Sequence, residues 1–466
     1  MHTSTTSTVP LVSWTAAQLL EATQGYWLND QAPNTEIKRI LTDSRDAEAG
    51  DAFLALKGER FDAHAFITQV AEQGCQVAIV SQPIDAEICQ LVVPDTRLAL
   101  GQLGAYRRAQ NPQLKVIALT GSSGKTTTKE MLGSILSRIA PTLVTRGNLN
   151  NDLGVPVMLL ELRPEHQYAV MELGASHQGE IDYTSNLVQP LVAGIINIGT
   201  AHLGEFGGRD GICRAKSEIY AHIAPNGTSI VPAADDFADS IRQAVQTEQV
   251  LSFGAGGEVF ATEIELQAQS ATFKLNTPQG VRQVNLPFAG EHNVQNATAA
   301  AAFALAIGIS LDDIVLGLEQ AVGAKGRLNF IQQGRHLLID DTYNANPTSM
   351  RAAAEVLAQQ EGVRVMVMGD IGELGSSAAQ QHYMLGRDLV SVKGLNFVVA
   401  VGEFAPAAQE GARSTQYGKK MQAFLTQEQA LPFLLSLIET HQPQSMSFLF
   451  KGSRYTHMET LMADLM

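Results

Sequence analysis

The stretch that decides the fold is a glycine-rich turn, Thr120-Gly121-Ser122-Ser123-Gly124-Lys125-Thr126-Thr127, which directly follows the apolar run Lys115–Leu119. The run predicts a strand, and the residues from Thr126 onward have the apolar spacing of a helix. In this order, backbone N–H groups of the turn can converge on phosphate oxygens at the helix N-terminus. Lys125 would reach the β and γ phosphates, and the Thr126 hydroxyl would ligate Mg²⁺. We therefore predict a nucleotide-binding phosphate loop.

This loop is shorter than the usual G-x-x-x-x-G-K-[ST] pattern, which requires a glycine where the chain has Leu119. Taken alone, it has other interpretations. A Gly-Ser turn can cap an ordinary helix, and a phosphate loop is also found in kinases, GTPases and transport ATPases. Further residues are needed to choose among these classes.

Length and composition narrow the class of protein. A chain of 466 residues exceeds the size of a single hydrophobic core, so we expect two to four domains, with three preferred. Apolar residues make up 45% and charged residues 17%, as in a well-packed globular protein. The net charge of -15 would repel nucleic acid and anionic membranes, so we expect neither as a partner.

The cysteines and the N-terminus indicate a cytoplasmic protein. Three cysteines without C-x-x-C spacing argue against a disulfide framework and against structural zinc. The opening residues MHTSTTSTVPLVSW contain no Lys or Arg and no apolar core, and no later run offers eighteen apolar residues. We therefore expect neither export nor membrane insertion, and we expect a monomer.

The chain is predicted to be α/β with three domains, at residues 1–110, 111–322 and 323–466. In the first, a small α/β domain, we predict strands at Ala52–Leu56 and Val77–Val80 and a connecting helix at Thr96–Gln110 that ends before Pro112. The central domain has strand–helix alternation typical of a phosphate-loop ATPase.

Other elements of the second and third domains can be predicted from their apolar patterns. In the central domain we predict strands at Tyr168–Met171 and Ile195–Ile198, a hairpin at Thr272–Leu286 and a buried helix at Asn296–Ile309. The third domain should be a second, Rossmann-like sheet. Its predicted strands are Leu337–Ile339, Val365–Met368, Phe397–Ala400 and Phe448–Phe450.

Further motifs follow the loop in a fixed order, and together they cover nearly the whole chain. They are Met171–Gly174, Asn197–Leu203, Arg214–Ile219, Gly290–Ala297, Gly326-Arg327, Asp340–Pro347 and Lys451–Arg454. The loop and this series resemble the Mur ligases, ATP-dependent enzymes that form amide bonds. The resemblance implies a UDP-substrate-binding first domain, a central ATPase domain and a C-terminal ligase domain.

Two segments resemble one branch of this family, which adds D-alanyl-D-alanine to UDP-N-acetylmuramoyl tripeptide. They are Arg146–Pro156 and Asp341–Pro347. The Asp-Asn-Pro-Arg motif of the MurE-like branch, which adds diaminopimelate or lysine, is absent. The alternatives are another amide ligase of the family, MurE-like or folylpolyglutamate synthase-like, and a phosphate-loop ATPase regulated by a partner protein.

The resemblance also implies the chemistry. The substrate carboxylate attacks the γ-phosphoryl group of ATP, and the amine then displaces phosphate from the acyl phosphate. The implied catalytic residues are Lys125, Glu172, His202 and Lys216. Two Mg²⁺ ions would be held by Thr126, Glu172, His202 and Lys216, the last as a carbamate formed with CO₂. From the residues alone, His202 reads as a structural histidine, because imidazole is not a typical Mg²⁺ ligand.

Nucleotide and substrate contacts follow from the same motifs. The nucleotide would contact the loop residues Gly121, Ser122, Ser123, Gly124, Lys125, Thr126 and Thr127, together with His292, Asn293, Arg327, Asp341 and Tyr343. Helix capping is the competing interpretation of Asn293. The substrates would contact Ser44, Arg45, Lys57, Arg60, Asn148, Asn150, Asn151, Asn344, Asn346, Lys451 and Ser453. Closure of the third domain over the nucleotide is also expected.

Overall fold

The computed structural model describes residues 12–58, 61–200 and 204–465. Two predicted site residues, Arg60 and His202, lie outside these ranges. The chain divides into two compact units, one drawn from Met1–Ala118, Ala140–Leu173 and Asp182–Pro190, the other from Leu119–Ile139, Gly174–Ile181 and Leu191–Met466. Within the described ranges, no helix has both the length and the apolar content needed to cross a membrane.

The N-terminal sheet has the strand order β1-β5-β4-β3-β2, with β1 antiparallel to β5 and the other pairs parallel. Alternate side chains point to opposite faces, so Leu54 packs in one core with Leu100, and Phe53 packs in another with Ile67. The strands are β1 (Tyr26–Trp27), β2 (Ile40–Leu41), β3 (Ala52–Leu54), β4 (Val77–Val80) and β5 (Cys89–Val92); the helices are α1 (Ala16–Thr23), α2 (Ile67–Glu72) and α3 (Thr96–Ala109).

The central sheet has the strand order β11-β10-β9-β6-β8-β7. Its strands are β6 (Lys115–Thr120), β7 (Thr142–Val144), β8 (Tyr168–Glu172), β9 (Val192–Ile195), β10 (Thr228–Pro232) and β11 (Gln249–Phe253). The helices between them are α4 (Lys125–Ser137), α5 (Gly154–Leu160), α6 (Glu180–Val188), α7 (Arg209–Ser217) and α8 (Ala238–Ala244). Strand β6, the phosphate loop and α4 therefore follow one another as predicted.

A small antiparallel sheet follows, with strands β12 (Phe260–Leu266), β13 (Ala271–Thr277) and β14 (Gly280–Leu286). The predicted hairpin is its β13–β14 pair. The next helices are α9 (Glu291–Ala306) and α10 (Leu311–Glu319). Helix α9 is buried along most of its length, from Asn293 to Ala304, and it packs against α4. Its alanines allow this close approach because they occupy little volume, and the packing fixes the start of α4 beside the start of α9.

The C-terminal sheet has the strand order β15-β16-β20-β17-β18-β19, parallel except for the edge strand β15. Val365 and Val367 of β17 face one core, and Met366 and Met368 face the other, so helices cover both sides. The strands are β15 (Asn329–Gln333), β16 (His336–Asp340), β17 (Val363–Gly369), β18 (Phe397–Val401), β19 (Met421–Phe424) and β20 (Met446–Lys451); the helices are α11 (Pro347–Ala358), α12 (Ala378–Ser391), α13 (Ala405–Arg413), α14 (Gln427–Thr440) and α15 (Met458–Leu465).

The α/β class is confirmed, but some predicted bounds are wrong. The strand expected at Ile195–Ile198 ends at Ile195, since β9 is Val192–Ile195. Ile196 and Ile198 are buried in the segment after the strand, so their apolar character reflects burial and not pairing. The buried helix predicted over Asn296–Ile309 is Glu291–Ala306, so it begins earlier, with Gly290 as its N-cap, and ends earlier.

Close packing of α12 on α13 generates a stability prediction. A Cβ added at Gly386 would meet the backbone carbonyl of Ala408, and one at Gly411 would meet that of Tyr383. Alanine in place of a helical glycine gains about 1 kcal/mol from helix propensity, but overpacking against a backbone that cannot move aside costs about 1–3 kcal/mol.

We therefore expect Gly386→Ala and Gly411→Ala each to lower the midpoint of urea unfolding. The matched control is Glu410→Ala, at an exposed position of α13, which should not lower it. An unchanged or raised midpoint for both glycine variants would show that the two helices can separate at little cost.

Candidate active site

The phosphate loop is the turn between β6 and α4. Gly124 has φ +77° and forms the N-cap of α4 without a side-chain hydrogen bond. A left-handed conformation suits glycine, and a Cβ at this position would meet the side-chain amide of Asn296 on α9. The first turn of α4 therefore begins at a residue that offers no side-chain acceptor of its own.

The loop lies on the segment that follows β9. Asn197 accepts the N–H groups of Ser122 and Ser123 on its side-chain Oδ1, at 3.1 Å and 3.0 Å. Its Nδ2 donates to the Ser123 carbonyl at 3.0 Å, and its backbone carbonyl also accepts the Ser122 N–H. One amide side chain thus satisfies donors and an acceptor of the loop backbone.

The segment that carries Asn197 is itself held by charged side chains. Asp235 accepts the N–H of Ile198 at 2.8 Å, and the Arg209 guanidinium donates to the Ile198 carbonyl at 2.9 Å. Arg209 also pairs with Asp236 at 2.8 Å. These contacts fix the backbone immediately before Gly199 and Thr200.

Two side chains of the loop are suited to phosphate. The Lys125 ammonium lies 2.9 Å from the Gly121 carbonyl, so it folds back over the loop. The Ser122 hydroxyl is buried and has no hydrogen-bond partner within the described ranges. A buried hydroxyl ordinarily has a partner, and a phosphate oxygen would supply one. The loop therefore fits the nucleotide that its sequence predicts.

Glu172 is the last residue of β8 and is buried. Its backbone N–H donates to the Thr145 hydroxyl at 2.9 Å, and its carboxylate accepts from Asn150 Nδ2 at 2.8 Å. Asn151 accepts the Gly154 N–H at 2.8 Å, which is turn and helix-start chemistry. Asn150 therefore orients the Glu172 carboxylate, which lies in the same unit. A substrate contact for Asn148, Asn150 and Asn151 stays a prediction.

Lys216 lies near the end of α7 and is buried, with 2% of its surface exposed. The nearby Glu218 accepts the Gly179 N–H at 2.8 Å. In the part of the chain that the structure describes, no group of three or more His, Cys, Asp or Glu side chains is arranged to hold a metal ion. His202 lies outside the described residues, so these include only three of the four predicted metal ligands, Thr126, Glu172 and Lys216.

The start of α9 contains His292 and Asn293, which were predicted to contact the nucleotide. Asn293 is inside the first turn, where its Nδ2 donates to the Ala289 carbonyl at 2.8 Å, so it is not the N-cap. Its Oδ1 accepts from Asn296 at 3.0 Å, which connects it to the residue beside Gly124. Burial lowers the pKa of His292 to about 4; the Lys451 ammonium also lowers this pKa, and the Asp341 carboxylate opposes the shift.

A buried ion pair organises the predicted residues of the C-terminal sheet. Lys451 Nζ lies 2.7 Å from an Asp341 carboxylate oxygen, and both residues are buried. The other Asp341 oxygen accepts the Leu328 N–H at 3.3 Å, and the lysine also donates to the Asn344 carbonyl at 2.9 Å. Burial lowers the pKa of Lys451, against the influence of Asp341.

Two C-terminal residues contact the phosphate loop. Arg327 stacks over the Tyr343 ring at 4.4 Å, and its guanidinium donates to the Thr126 hydroxyl at 3.3 Å. Asn346 is the N-cap of α11, accepting the Ser349 N–H at 2.8 Å, and its Nδ2 approaches the Ser122 carbonyl at 3.4 Å. The structure thus brings Arg327 and Asn346 to the loop.

Ser453, also predicted to contact substrate, bonds within its own sheet. Its hydroxyl accepts the Gly372 N–H at 2.8 Å, and its backbone N–H donates to the Asp370 carbonyl at 3.0 Å. Asn344 is exposed, and its side-chain oxygen accepts the N–H of the next residue, Ala345. Substrate roles for both residues stay predictions.

Arg45 and Lys57, two of the N-terminal residues predicted to contact substrate, already have acidic partners. The exposed Arg45 guanidinium donates to the Asp43 carboxylate at 2.9 Å and 3.1 Å and lowers the pKa of Asp43 to about 2. Lys57 Nζ lies 3.6 Å from Asp62. Ser44 is in the short turn that Asp43 caps. A diphosphate would therefore have to compete with carboxylates for these cations.

Asp62, His64 and Ser81 form a hydrogen-bonded array that resembles a catalytic triad. The Asp62 carboxylate lies 2.6 Å from His64 Nδ1, and His64 Nε2 lies 3.2 Å from the Ser81 hydroxyl. However, the backbone N–H of Ser81 donates to the same Nε2 at 3.0 Å. The lone pair that a general base needs is therefore occupied, and the array connects two segments of the N-terminal sheet.

Sequence reasoning did not single out Asn197, Asn296 or Asp235 as site residues. The first two lie inside motifs that it did recognise, Asn197–Leu203 and Gly290–Ala297. A neutral amide carries no charge or spacing signal of its own, so its role emerges only from the contacts that the fold creates.

Comparison with known proteins identifies the family. Three family models match consecutive parts of the chain: "Mur ligase family, catalytic domain" at residues 36–118, "Mur ligase middle domain" at residues 119–304 and "Mur ligase, glutamate ligase domain" at residues 326–454. The chain belongs to the Mur ligase family.

Its relatives within this family include MurF enzymes. A crystal structure of MurF from Acinetobacter baumannii is 76% identical, with a TM-score of 0.95, and the match covers 98% of this chain and 99% of that one. The UDP-N-acetylmuramoyl-tripeptide--D-alanyl-D-alanine ligase of Escherichia coli (strain K12) is 41% identical over 98% of this chain and 99% of its own. The MurF ligase of Thermotoga maritima, crystallised in complex with ADP, is 26% identical with a TM-score of 0.79, covering 92% and 96%.

The depressed pKa of His292 generates a prediction for acid stability. The folded protein holds the His292 proton more weakly than the unfolded chain, so unfolding takes up a proton between pH 6.5 and about 4. Stability contributed by neutral His292 is therefore present above pH 6.5 and is lost as the pH falls through this window, by up to roughly 3 kcal/mol.

We expect His292→Gln to remove this dependence. The measurement is the free energy of unfolding in urea at several pH values, for both proteins. The wild-type curve should fall more steeply than that of the variant between pH 6.5 and 4. Parallel curves would contradict the assigned environment of His292.

Proposed function

We propose that the chain ligates D-alanyl-D-alanine to UDP-N-acetylmuramoyl tripeptide with consumption of ATP, through an acyl phosphate, to form the UDP-muramoyl pentapeptide precursor of peptidoglycan. The observation that carries the proposal is the phosphate loop, whose backbone is held by Asn197 and which has an uncapped helix start at Gly124. Relatives that carry the name of this activity match nearly the full chain.

The reaction must overcome the inertness of a carboxylate. Transfer of the γ-phosphoryl group to the substrate carboxylate forms a C–O–P bond and releases ADP. The amine nitrogen of the dipeptide then attacks the acyl carbon, and inorganic phosphate leaves with the electron pair of the broken C–O bond. The first step brings two anions together, so fixed positive charge and N–H dipoles at the loop should dominate catalysis. Lys125 supplies part of this charge.

We propose that Thr126, Glu172, His202 and Lys216 hold two Mg²⁺ ions, as the family resemblance implies. Mg²⁺ would neutralise phosphate charge during transfer. Hydroxyl and carboxylate oxygens suit this ion, but an ammonium does not, so Lys216 requires conversion to a carbamate. The side chain is buried, and formation of a carbamate requires the neutral amine to react with CO₂.

We assign the other predicted residues by region. The adenine would lie near His292 and Asn293, with Arg327, Asp341 and Tyr343 close to the nucleotide. The incoming dipeptide would be received by the third-domain residues Asn344, Asn346, Lys451 and Ser453. The UDP-sugar and peptide would be bound by Ser44, Arg45, Lys57 and Arg60 and by the asparagines Asn148, Asn150 and Asn151. These assignments follow the resemblance, and the domain limits 1–110, 111–322 and 323–466 are proposed with them.

Another family ligase, MurE-like or similar to folylpolyglutamate synthase, is the closest alternative, and it differs in the amine consumed. The segment Asp341–Pro347 favours the dipeptide-adding branch over the MurE-like one. A partner-regulated ATPase would leave the motifs of the C-terminal sheet without a purpose. The proposed use of ATP, together with free Cys75, Cys89 and Cys213, favours a cytoplasmic location, and we propose a monomer.

The first test is phosphate release by the purified protein with Mg-ATP. Release should require both UDP-N-acetylmuramoyl tripeptide and D-alanyl-D-alanine, because the acyl phosphate forms on one and is resolved by the other. Mass spectrometry should show the pentapeptide product. ATP hydrolysis without either substrate, or addition of a single amino acid, would overturn the assignment.

The carbamate at Lys216 can be tested separately. With ¹³C-bicarbonate, the wild-type protein should give a carbamate carbonyl signal by NMR that is missing in Lys216→Arg, since a guanidinium does not form a carbamate. Activity in CO₂-depleted buffer should fall and return on addition of bicarbonate. A wild-type spectrum identical to that of the variant would contradict the modification.

A further inference from the structure

We propose that Asn197 is the positioning residue that sets the shape of the phosphate loop and thereby its affinity for the phosphates of the nucleotide. The inference rests on the proposed ATP site and goes beyond it, because it assigns the loop geometry to a side chain outside the loop. Asn197 contacts the loop backbone and has no reacting group of its own.

The geometry requires an amide at this position. The Oδ1 atom accepts from the N–H groups of Ser122 and Ser123, and it also lies 3.4 Å from the Ser123 hydroxyl. The Nδ2 atom donates to the Ser123 carbonyl at 3.0 Å. A carboxylate would keep the acceptor but would face the Ser123 carbonyl with a second oxygen, and a serine is too short to span both groups.

Packing on both sides of Asn197 shows that the loop rests on this segment. A Cβ at Gly121 would lie 3.1 Å from the Ile196 Cβ, and one at Gly199 would lie 3.1 Å from the Ser122 Cβ. In addition, the Ile196 N–H donates to the Thr120 carbonyl at 2.8 Å. The segment from Ile196 to Gly199 is therefore the floor of the loop, and Asn197 is its polar link.

The rest of the chain keeps this floor in place. Two charged side chains hold the backbone of Ile198: Asp235 accepts its N–H, and Arg209 donates to its carbonyl. Because the floor is held independently, loss of the Asn197 side chain should leave the segment in position and free the loop above it. The loss should therefore be specific to ligands that touch the loop, namely those with a β-phosphate.

The test compares ADP with AMP, both without metal in the presence of EDTA. We expect Asn197→Asp to raise the Kd of ADP by about tenfold or more, because two or three hydrogen bonds change and a negative charge is placed beside the phosphate site. The Kd of AMP should change much less. Calorimetric titration or competition with a fluorescent adenine nucleotide measures both constants.

Two further variants make the result decisive. Asn276→Asp is the matched control: Asn276 also donates through its side-chain amide, to the Thr262 hydroxyl at 2.9 Å, but in the small antiparallel sheet. It should leave both constants unchanged. Asn197→Ser removes the amide without adding charge and should show the same ADP-selective loss, which guards against failure of the aspartate variant to fold.

The outcomes separate this inference from the proposed function. Wild-type protein that binds ADP, with variants that bind it equally well, would overturn the inference alone. An equal loss for ADP and AMP together with a lowered melting temperature would also overturn it, because that pattern indicates a structural role. Wild-type protein that binds neither nucleotide would overturn the ATP site itself. A selective loss for ADP at an unchanged melting temperature supports the positioning role.

Discussion

A phosphate loop is subject to one constraint that shapes its surroundings: backbone N–H groups intended for a ligand cannot also hold the loop together. Side chains from elsewhere must fix its conformation. In this chain Asn197 hydrogen-bonds to the loop from beneath, Asn346 approaches the Ser122 carbonyl, and Asn296 packs beside Gly124. An amide is suited to the task because it both donates and accepts while adding no charge beside the site. These three amides come from the segment after β9, from helix α9 and from the start of α11.

The C-terminal sheet depends on the buried pair of Asp341 and Lys451. Removing two charges from water costs several kcal/mol per ion, and the attraction between them offsets this cost only when their remaining hydrogen-bonding groups are also satisfied. Here the Leu328 N–H donates to Asp341, and the Asn344 carbonyl accepts from Lys451. The pair therefore connects the turn at Gly326, where φ is +73°, with the segment that leads to α11. Both contain residues that contact the phosphate loop, so the pair sets their direction.

The sequence predicted strand positions best where a strand is buried on both faces, and it predicted site residues best where they belong to a motif. Strands buried on both faces, such as Val77–Val80, appear as unbroken apolar runs, and their positions were predicted correctly. The edge strands β15 and β19 were not predicted, because they are only partly buried and show no unbroken apolar run. The run at Ile195–Ile198 was misread for the opposite reason: Ile196 and Ile198 are buried without pairing as a strand. Charged motif residues were recognisable from the loop and the family pattern, whereas Asn197 and Asn296 were not, since the loop residues that they contact are distant in sequence.

The contacts of Arg327 and Asn346 also bear on closure of the C-terminal sheet over the nucleotide. Arg327 donates to the Thr126 hydroxyl, the group expected to ligate Mg²⁺. A guanidinium and a divalent cation that share one hydroxyl would repel each other, so a metal at Thr126 would weaken the Arg327 contact. A phosphate that arrives with the metal reverses the balance, because it offers the guanidinium a negatively charged acceptor. The position of the C-terminal sheet should therefore depend on the metal and the phosphate together, which links closure to the complete nucleotide and not to either component alone.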